Sequence, residues 1–484
     1  MKKIIGIVGV VGVLVVGTYY GTGWLTERAF QKTIHDVQVT KGINVSVVQY
    51  DRGLFHSTAV VEWVLHIPAQ HNTLQNGQVQ TVEATDYLVP INLSIAHGPV
   101  MIGSDGLHLG LGYAQAQLTL PEKYRNQLNT YFNTSSTLPI LHLSLLINFM
   151  NQVKILLTVP EFHLSMVSNE GQFNWLGLTS TSVLSLNLSK MRGKAQLKKA
   201  QFNRGSMSMD LDKVSSDYDI KKTALGLYDG TAHFQLNALK IVARGKTQLG
   251  LNNFSISTEN IEKSNLFDSH LEAKLDTVIV EDQTYGPGVI EMSMKNLDAQ
   301  VLSKVNHQLQ SMNQLSLIAR QKILISLLPE LPQLFSQGAS FSISHLSFGM
   351  PEGEVNGELM VTLPKGSTTN PFQIFSHVIG SGKVKVPAKV VHDIMENAVR
   401  QKLLQPATPQ PNQPQTTTTI QPIVLAQGTN IEQEVKNMTD KRLSSLVESG
   451  ALVQQGQDYT LDVKLEHGKM VVNGKPFVPA MLEF

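Results

Sequence analysis

The chain has 484 residues, of which 42% are hydrophobic and 16% are charged, so it can form sizeable cores in two or three domains. Its 39 basic and 38 acidic residues leave a formal net charge of +1, which argues against nucleic acid as a partner. Because the chain has no cysteine, disulfides, thiolate metal sites and cysteine nucleophiles are excluded.

The first predicted element is a helix from Ile4 to Leu25 that carries no charged side chain. At about 1.5 Å per residue, it matches a hydrocarbon core about 30 Å thick. Lys2 and Lys3 precede it, which favours a cytoplasmic N-terminus. Aromatic side chains cluster at its other end, as is typical of a membrane interface: Tyr19, Tyr20 and Trp24. The sequence therefore predicts one transmembrane anchor at residues 1–26, contacting a membrane through residues 4–25.

Two alternatives to an anchor are a cleavable secretory signal and a buried core helix. The apolar run is longer than the usual core of a signal peptide, and bulky Trp24 and Leu25 make a poor cleavage site. No other run approaches about 18 uninterrupted apolar residues. We therefore expect a single pass, with the bulk of the chain, from about Glu27 onward, outside the cytoplasm.

Residues 27–296 are predicted to form an antiparallel β body. The first two strands are alternating runs joined at Asp51-Arg52-Gly53, where Gly53 is expected to supply a positive φ. A third strand, Tyr87–Ala96, ends at the sharp turn His97-Gly98-Pro99.

The run from Leu107 to Leu120 alternates strictly and predicts one long strand. Further alternating runs follow as far as Asn296, with short turns and no βαβ pattern, so roughly fifteen strands are expected in all. The predicted fold class is mainly β: a large antiparallel β-meander, or curled sheet, with a few amphipathic helices.

Residues 297–404 are predicted to continue this body, with an amphipathic helix over residues 297–335, further strands and a second helix over 387–404. Residues 405–421 are rich in Pro, Gln and Thr and read as a linker. Residues 422–484 are predicted to contain a helix and a terminal hairpin, with its turn at Asn473-Gly474.

Three short motifs resemble those of the YdgA/YihF-like family of Gram-negative proteins of unknown function. They are Tyr50-Asp51-Arg52-Gly53-Leu54-Phe55-His56-Ser57, His97-Gly98-Pro99, and the segment from Gly468 to Gly474. The resemblance implies an inner-membrane anchor with a periplasmic β-rich body, and it brings no activity, catalytic residue or cofactor. The candidate motif residues are Tyr50, Arg52, Gly53, Phe55, His97, Gly98 and Pro99.

The sequence holds no enzyme motif that we recognise. The fifteen histidines are scattered without a zincin pattern, and neither a nucleophile elbow nor a phosphate-binding loop is present. We therefore expect no catalytic residue, no metal and no cofactor.

Arg52 and His97 each permit two readings. Arg52 is either a turn arginine paired with Asp51 or a backbone carbonyl, or a fork that docks a carboxylate or phosphate. His97 either bonds within its own turn or belongs to a binding site.

Three functional hypotheses follow from the sequence. The first is a non-enzymatic envelope protein that binds a lipid, another hydrophobic ligand or a partner protein, with an apolar groove inside the curled sheet. The second is a structural or assembly factor acting through sheet edges. The third and least favoured is a periplasmic hydrolase with a site that matches no known motif.

Overall fold

The computed structural model describes most of the chain after residue 43, together with one helix before it. The described ranges are 18–28, 44–67, 70–73, 79–82, 85–103, 106–119, 129–167, 171–311, 326–366, 374–404 and 431–478, with a few single or paired residues between them. Within these ranges the chain is mainly β, and most strands belong to one large antiparallel sheet. The predicted fold class is confirmed at that level.

The predicted anchor lies largely outside the described ranges. Residues 18–28 form a helix, α1, which contains the last part of the predicted span, whereas residues 4–17 are not described. None of the helices in the described part of the chain combines the length and apolar composition of a bilayer-spanning segment. The anchor therefore remains a prediction.

The chain folds into two compact units, the first made of residues 1–224 and 228–255 and the second of residues 225–227 and 256–484. The predicted domain limits are not tested by this division. The strands described in the first unit are β1 (Asn44–Arg52), β2 (His56–Ile67), β3 (Gln70–Thr73), β4 (Val79–Val82), β5 (Thr85–His97), β6 (Val100–Gly103), β7 (Gly106–Leu109), β8 (Gly112–Thr119), β9 (Ile140–Ile147), β10 (Gln152–Val159), β11 (Phe162–Ser165), β12 (Gly171–Trp175), β13 (Leu178–Ser185), β14 (Lys190–Arg204), β15 (Met207–Lys222) and β16 (Tyr228–Ala243). The boundary falls within β17 (Lys246–Lys263).

The sheet of the first unit is a meander in which most strands pair with the strand before them along the chain. β1 pairs with β2, β2 with β5, β5 with β8, and the pairing continues through β9 and β10. This antiparallel register brings residues 52–57, 97–112 and 147–152 to the same end of the sheet. We call these three segments the loop end.

The single strand predicted over Leu107–Leu120 is wrong. The run breaks at Gly110-Leu111, so that β7 pairs with β6 as a separate hairpin and β8 enters the main sheet. A Cβ at Gly110 would lie 2.4 Å from the carbonyl oxygen of Ile147, so only glycine permits this close approach. Alternation does not reveal the break, which adds one strand to the number predicted.

Alternating apolar residues of five neighbouring strands build the core of the first unit. The buried members are Ala59, Val61, Leu93, Ile95, Ala114 and Ala116. Half-buried side chains from β1 and β9 pack around them, including Val45, Leu143 and Leu145. The core lies on one face of the meander, as expected when one face of an antiparallel sheet is covered.

The second unit repeats the meander with shorter strands and carries helices. Its strands are β18 (Leu266–Leu275), β19 (Thr277–Val280), β20 (Gln283–Tyr285), β21 (Gly288–Asp298), β22 (Ser340–Met350), β23 (Gly353–Thr362), β24 (Ile379–Pro387), β25 (Val453–Gln455), β26 (Asp458–Glu466), β27 (Lys469–Val472) and β28 (Lys475–Pro476). Its described helices are α2 (Ala299–Ser311), the 3-10 turn Leu328–Glu330, α3 (Leu331–Leu334), α4 (Ile374–His377), α5 (Ala388–Leu404) and α6 (Ile431–Glu448).

Of the helix predicted over residues 297–335, the structure describes α2, which begins at Ala299 because Asp298 caps it, and the short elements between Leu328 and Leu334, whereas most of residues 312–325 lie outside the described ranges. The carboxylate of Asp298 accepts hydrogen bonds from the backbone amides of Gln300 and Val301, both at 3.0 Å. Val301 is buried against Leu334, so α2 packs onto its own unit. The amphipathic pattern of α2 is accounted for by this packing.

The terminal hairpin is confirmed. Asn473 and Gly474 have φ values of 48° and 78°, the left-handed pair that a two-residue hairpin turn requires. The helices predicted over residues 387–404 and within residues 422–484 are confirmed as α5 and α6. The predicted linker 405–421 lies outside the described residues.

Candidate functional site

The predicted motif residues meet at the loop end, where helix α1 packs against them. The Tyr19 ring contacts the Phe55 ring edge to face, with centroids 4.9 Å apart. The Tyr19 hydroxyl donates to the carbonyl oxygen of Val100 at 2.9 Å. Gly98 has a φ of 125°, and a Cβ there would come within 2.0 Å of the Tyr19 ring. Gly98 is therefore required both by the turn and by the helix.

His97 lies one residue before this turn and is fully buried beneath α1. A Cβ at Gly23 would lie 3.0 Å from Nδ1 and Cε1 of the ring, so a glycine of the helix permits the contact. The imidazole Nε2 shares a 2.7 Å hydrogen bond with the hydroxyl of Ser57. His97 and Ser57 are only 1% and 2% exposed. The two motifs are thus joined by a buried hydrogen bond that α1 covers.

Tyr50 and Gly53 complete the same cluster. The amide of Gly53 donates to Ser57 Oγ at 3.3 Å. Burial raises the pKa of the Tyr50 phenol, and the nearby Glu27 carboxylate acts in the same direction, while a hydrogen bond with Ser57 and the charge of Arg52 oppose it. Tyr50 is therefore a neutral hydroxyl at physiological pH.

Arg52 binds α1 rather than its own turn. Its guanidinium donates to Glu27 at 3.1 Å, and it lies over the Tyr20 ring at 5.2 Å from the centroid. Asp51 instead accepts a hydrogen bond from Gln49 at 2.6 Å. The guanidinium of Arg52 therefore binds a carboxylate, as one of its two readings predicts, and this carboxylate is Glu27 of the same chain.

The positive φ expected at Gly53 is wrong. Gly53 does not lie in the left-handed region of φ, and its requirement for glycine is steric. A Cβ at this position would lie 2.1 Å from the carbonyl oxygen of His56. The sequence therefore identifies Gly53 correctly as a required glycine, but the reason is the steric contact with His56 and not a positive φ.

Burial lowers the pKa of His97 from its ordinary value of 6.5. The positive charges of His56 and Arg52 lower it further, and a hydrogen bond with the backbone of Leu54 opposes them. Below about pH 6.5 the unfolded chain therefore binds a proton that the folded chain does not, so stability falls with falling pH.

We expect the free energy of unfolding of the first unit to decrease as the pH is lowered from 7 to 5, with His97 contributing to the slope. Fluorescence-monitored urea unfolding measures this, because all three tryptophans, Trp24, Trp63 and Trp175, lie in the first unit. The His97→Gln variant should have a shallower slope. Equal slopes would show that the imidazole titrates in the same way in both states.

A hydrogen-bonded serine and histidine also resemble a nucleophile and its base, so we tested that reading against the geometry. A catalytic pair needs a group that orients the histidine and access for a substrate. Nδ1 of His97 lies against Gly23, and no carboxylate in the described ranges hydrogen-bonds to the ring. The pair is closed off by α1, which favours a structural role.

An apolar cavity of about 300 Å³ lies beside this cluster on the core face of the sheet. Thr26 of α1 lies at its edge, where its hydroxyl donates to the carbonyl oxygen of Leu111 at 2.9 Å. Its walls are almost entirely aliphatic and come from seven strands and the loop that follows β13: Val45, Val61, Ile91, Leu93, Ile95, Ala114, Leu143, Leu145, Ile147, Val153, Ile155, Leu184, Leu186 and Leu188. Such a site suits a hydrocarbon ligand.

One group of side chains in the described ranges has the spacing of metal ligands: His392, Asp393 and Glu396 on α5. Two of the three already have cationic partners. Lys389 lies 2.8 Å from Asp393, and Arg400 lies 2.8 Å from Glu396. We therefore regard the group as an exposed ion-pair network.

Sequence reasoning identified the motif residues and missed their partners in α1. Tyr19, Gly23 and Glu27 contact the motifs, and Thr26 contacts Leu111 at the same end of the sheet, at sequence separations of 25 to 85 residues in the hydrogen bonds given above. Their one visible signal was small residues, Gly23 and Thr26, at helical spacing beside two aromatics. Both residues lie within the predicted anchor at residues 1–26, so their spacing was attributed to the membrane span.

One family model matches residues 1–480 of the chain, and it is described as "Bacterial protein of unknown function (DUF945)". No curated protein and no solved structure matches the chain.

Proposed function

The chain belongs to a bacterial family of unknown function, DUF945, and on that premise we propose that it is a non-enzymatic, membrane-anchored protein that binds a lipid or another hydrophobic ligand. The observation that carries this proposal is the aliphatic cavity of the first unit. Its volume of about 300 Å³ lies at the lower end of the range for ligand pockets.

The position of the cavity supports a membrane source for the ligand. Helix α1 runs from Tyr19 at the loop end to Thr26 at the cavity, and the uncharged segment 4–17 precedes it in the chain. If the predicted anchor at residues 1–26 crosses the inner membrane with a cytoplasmic N-terminus, the cavity lies on the periplasmic side. The resemblance to YdgA/YihF-like proteins supports the same placement.

The motif residues then have a defined role. Tyr50, Arg52, Ser57, His97 and Gly98 hold α1 on the sheet through buried and charged contacts. They fix the cavity relative to the anchor and perform no chemistry. This role needs no cofactor and no metal.

Ile155→Trp tests the proposal, with Leu156→Trp as the matched control. Ile155 lines the cavity, and its neighbour on β10 points to the opposite face of the sheet. Both side chains are half-buried. The indole should fill the cavity, so native mass spectrometry of the full chain should show co-purified lipid falling from about one molecule per chain to well below one.

Leu156→Trp should retain lipid at the wild-type ratio, because its indole does not enter the cavity. Equal lipid in both variants would contradict the cavity as the binding site. An absence of lipid from the wild-type chain would contradict lipid binding itself.

A further inference from the structure

The hairpin formed by β6 and β7 has one face packed on the sheet and an apolar face that is exposed. Met101 is buried with Ala96 and Tyr113, and His108 stacks on the Tyr113 ring with centroids 3.8 Å apart. The opposite face consists of two cross-strand pairs, Val100 with Leu109 and Ile102 with Leu107. All four of these side chains are exposed, Ile102 by 80%. A soluble hairpin would normally carry polar residues on such a face.

Two neighbouring turns extend the exposed apolar surface. Leu54 and Phe55 lie in the β1–β2 turn, and Phe149 and Met150 lie in the β9–β10 turn. The sheet register places both turns at the loop end with the hairpin. Eight exposed large apolar side chains therefore gather at one end of the first unit, and clustering of this kind marks an interaction surface.

Helix α1 indicates which partner this surface meets. The Tyr19 hydroxyl binds the first residue of β6, so the uncharged segment 4–17 precedes the point where the helix touches the hairpin. Tyr20 and Trp24 are exposed on α1, and Arg28 lies over the Trp24 ring at 5.4 Å from the centroid. Exposed aromatic residues with a cation are typical of the interfacial layer of a bilayer.

We propose that the loop end docks on the bilayer that anchors the chain, with the apolar face of the β6–β7 hairpin inserted into the interfacial layer. The inference rests on the anchoring part of the proposed function. Insertion is shallow, because the sequence between β6 and β7 contains Asp105, and a carboxylate is costly in the hydrocarbon core. Docking brings helix α1, and the cavity beside it, close to the lipid surface.

Since the chain has no cysteine, a single introduced cysteine carries a unique label. Ile102→Cys and Leu107→Cys place an environment-sensitive nitrobenzoxadiazole probe on the exposed face. Tyr131→Cys is the control, because Tyr131 is 68% exposed and lies beyond β8, before β9, at the opposite end of those strands. The full-length variants are reconstituted into vesicles of phosphatidylethanolamine and phosphatidylglycerol.

The expected result is that probes at 102 and 107 emit at shorter wavelength and are quenched by spin-labelled lipid, whereas the probe at 131 is quenched by aqueous iodide. Iodide quenching at all three positions, in chains that float with the vesicles, would overturn the docking while leaving the anchor in place. Protection of 102 from iodide without lipid quenching would indicate a second copy on this face and would also overturn it. Chains that fail to float would instead remove the anchor on which the inference rests.

Discussion

The Gly98→Ala variant is expected to displace helix α1 from the loop end of the sheet and to lower the free energy of unfolding of the first unit by about 2–6 kcal/mol. About 1–3 kcal/mol comes from a non-glycine residue at a φ of 125°. A further 1–3 kcal/mol, approximately, comes from overpacking, because the new methyl group would lie 2.0 Å from the Tyr19 ring. Urea unfolding followed by tryptophan fluorescence measures the loss.

Gly106→Ala provides a matched control for this prediction. Gly106 also has a φ of 125°, and a Cβ there meets no heavy atom within 4 Å. It should therefore show the strain of about 1–3 kcal/mol alone. Adding Tyr19→Ala to Gly98→Ala should remove the clash between the two positions. Equal losses in Gly98→Ala and Gly106→Ala would show that α1 does not bind tightly at this turn.

Ser57→Ala is expected to destabilise the first unit because it removes the link between the two motifs. The substitution leaves the buried His97 Nε2 without its Ser57 partner, which costs about 1–3 kcal/mol. It also removes the hydroxyl to which the partly exposed Gly53 amide donates and with which Tyr50 interacts. Urea unfolding should show this loss with little change in the slope against denaturant concentration, because the surface exposed on unfolding is the same.

The control for Ser57→Ala is a second serine and histidine on the same pair of strands. Ser94 Oγ lies 2.6 Å from His56 Nε2, and this pair is exposed to solvent. Water replaces the lost partner there, so Ser94→Ala should change stability by less than about 0.5 kcal/mol. A larger effect of Ser94→Ala than of Ser57→Ala would contradict the assignment of the buried pair as the link.

Local patterns in the sequence predicted the local structure well. The pairing of β1 with β2 and the terminal turn at Asn473-Gly474 follow from alternation and turn chemistry, which act between near neighbours. The break at Gly110 was missed because its cause is the carbonyl oxygen of Ile147, on a different strand. Periodicity carries no information about such an approach.

The same difference between local and tertiary interactions decides what could be predicted of the candidate site. Arg52 and His97 were identified by their motifs, yet the partners that explain them, Glu27 and Ser57, depend on tertiary packing. The sequence suggests Asp51 as the partner of Arg52, because a single sequence offers only its near neighbours as candidate partners. The cavity could be anticipated only as an apolar groove, because its walls come from residues spread between Thr26 and Leu188.

The meander connectivity has a consequence for how the chain folds while it is being synthesised. Each strand from β14 to β16 pairs with the one that precedes it, so pairing requires only the closure of a short loop. Contacts between near neighbours in sequence favour fast folding. These strands can therefore pair one after another as they emerge from the ribosome, before the C-terminal half of the polypeptide has been made.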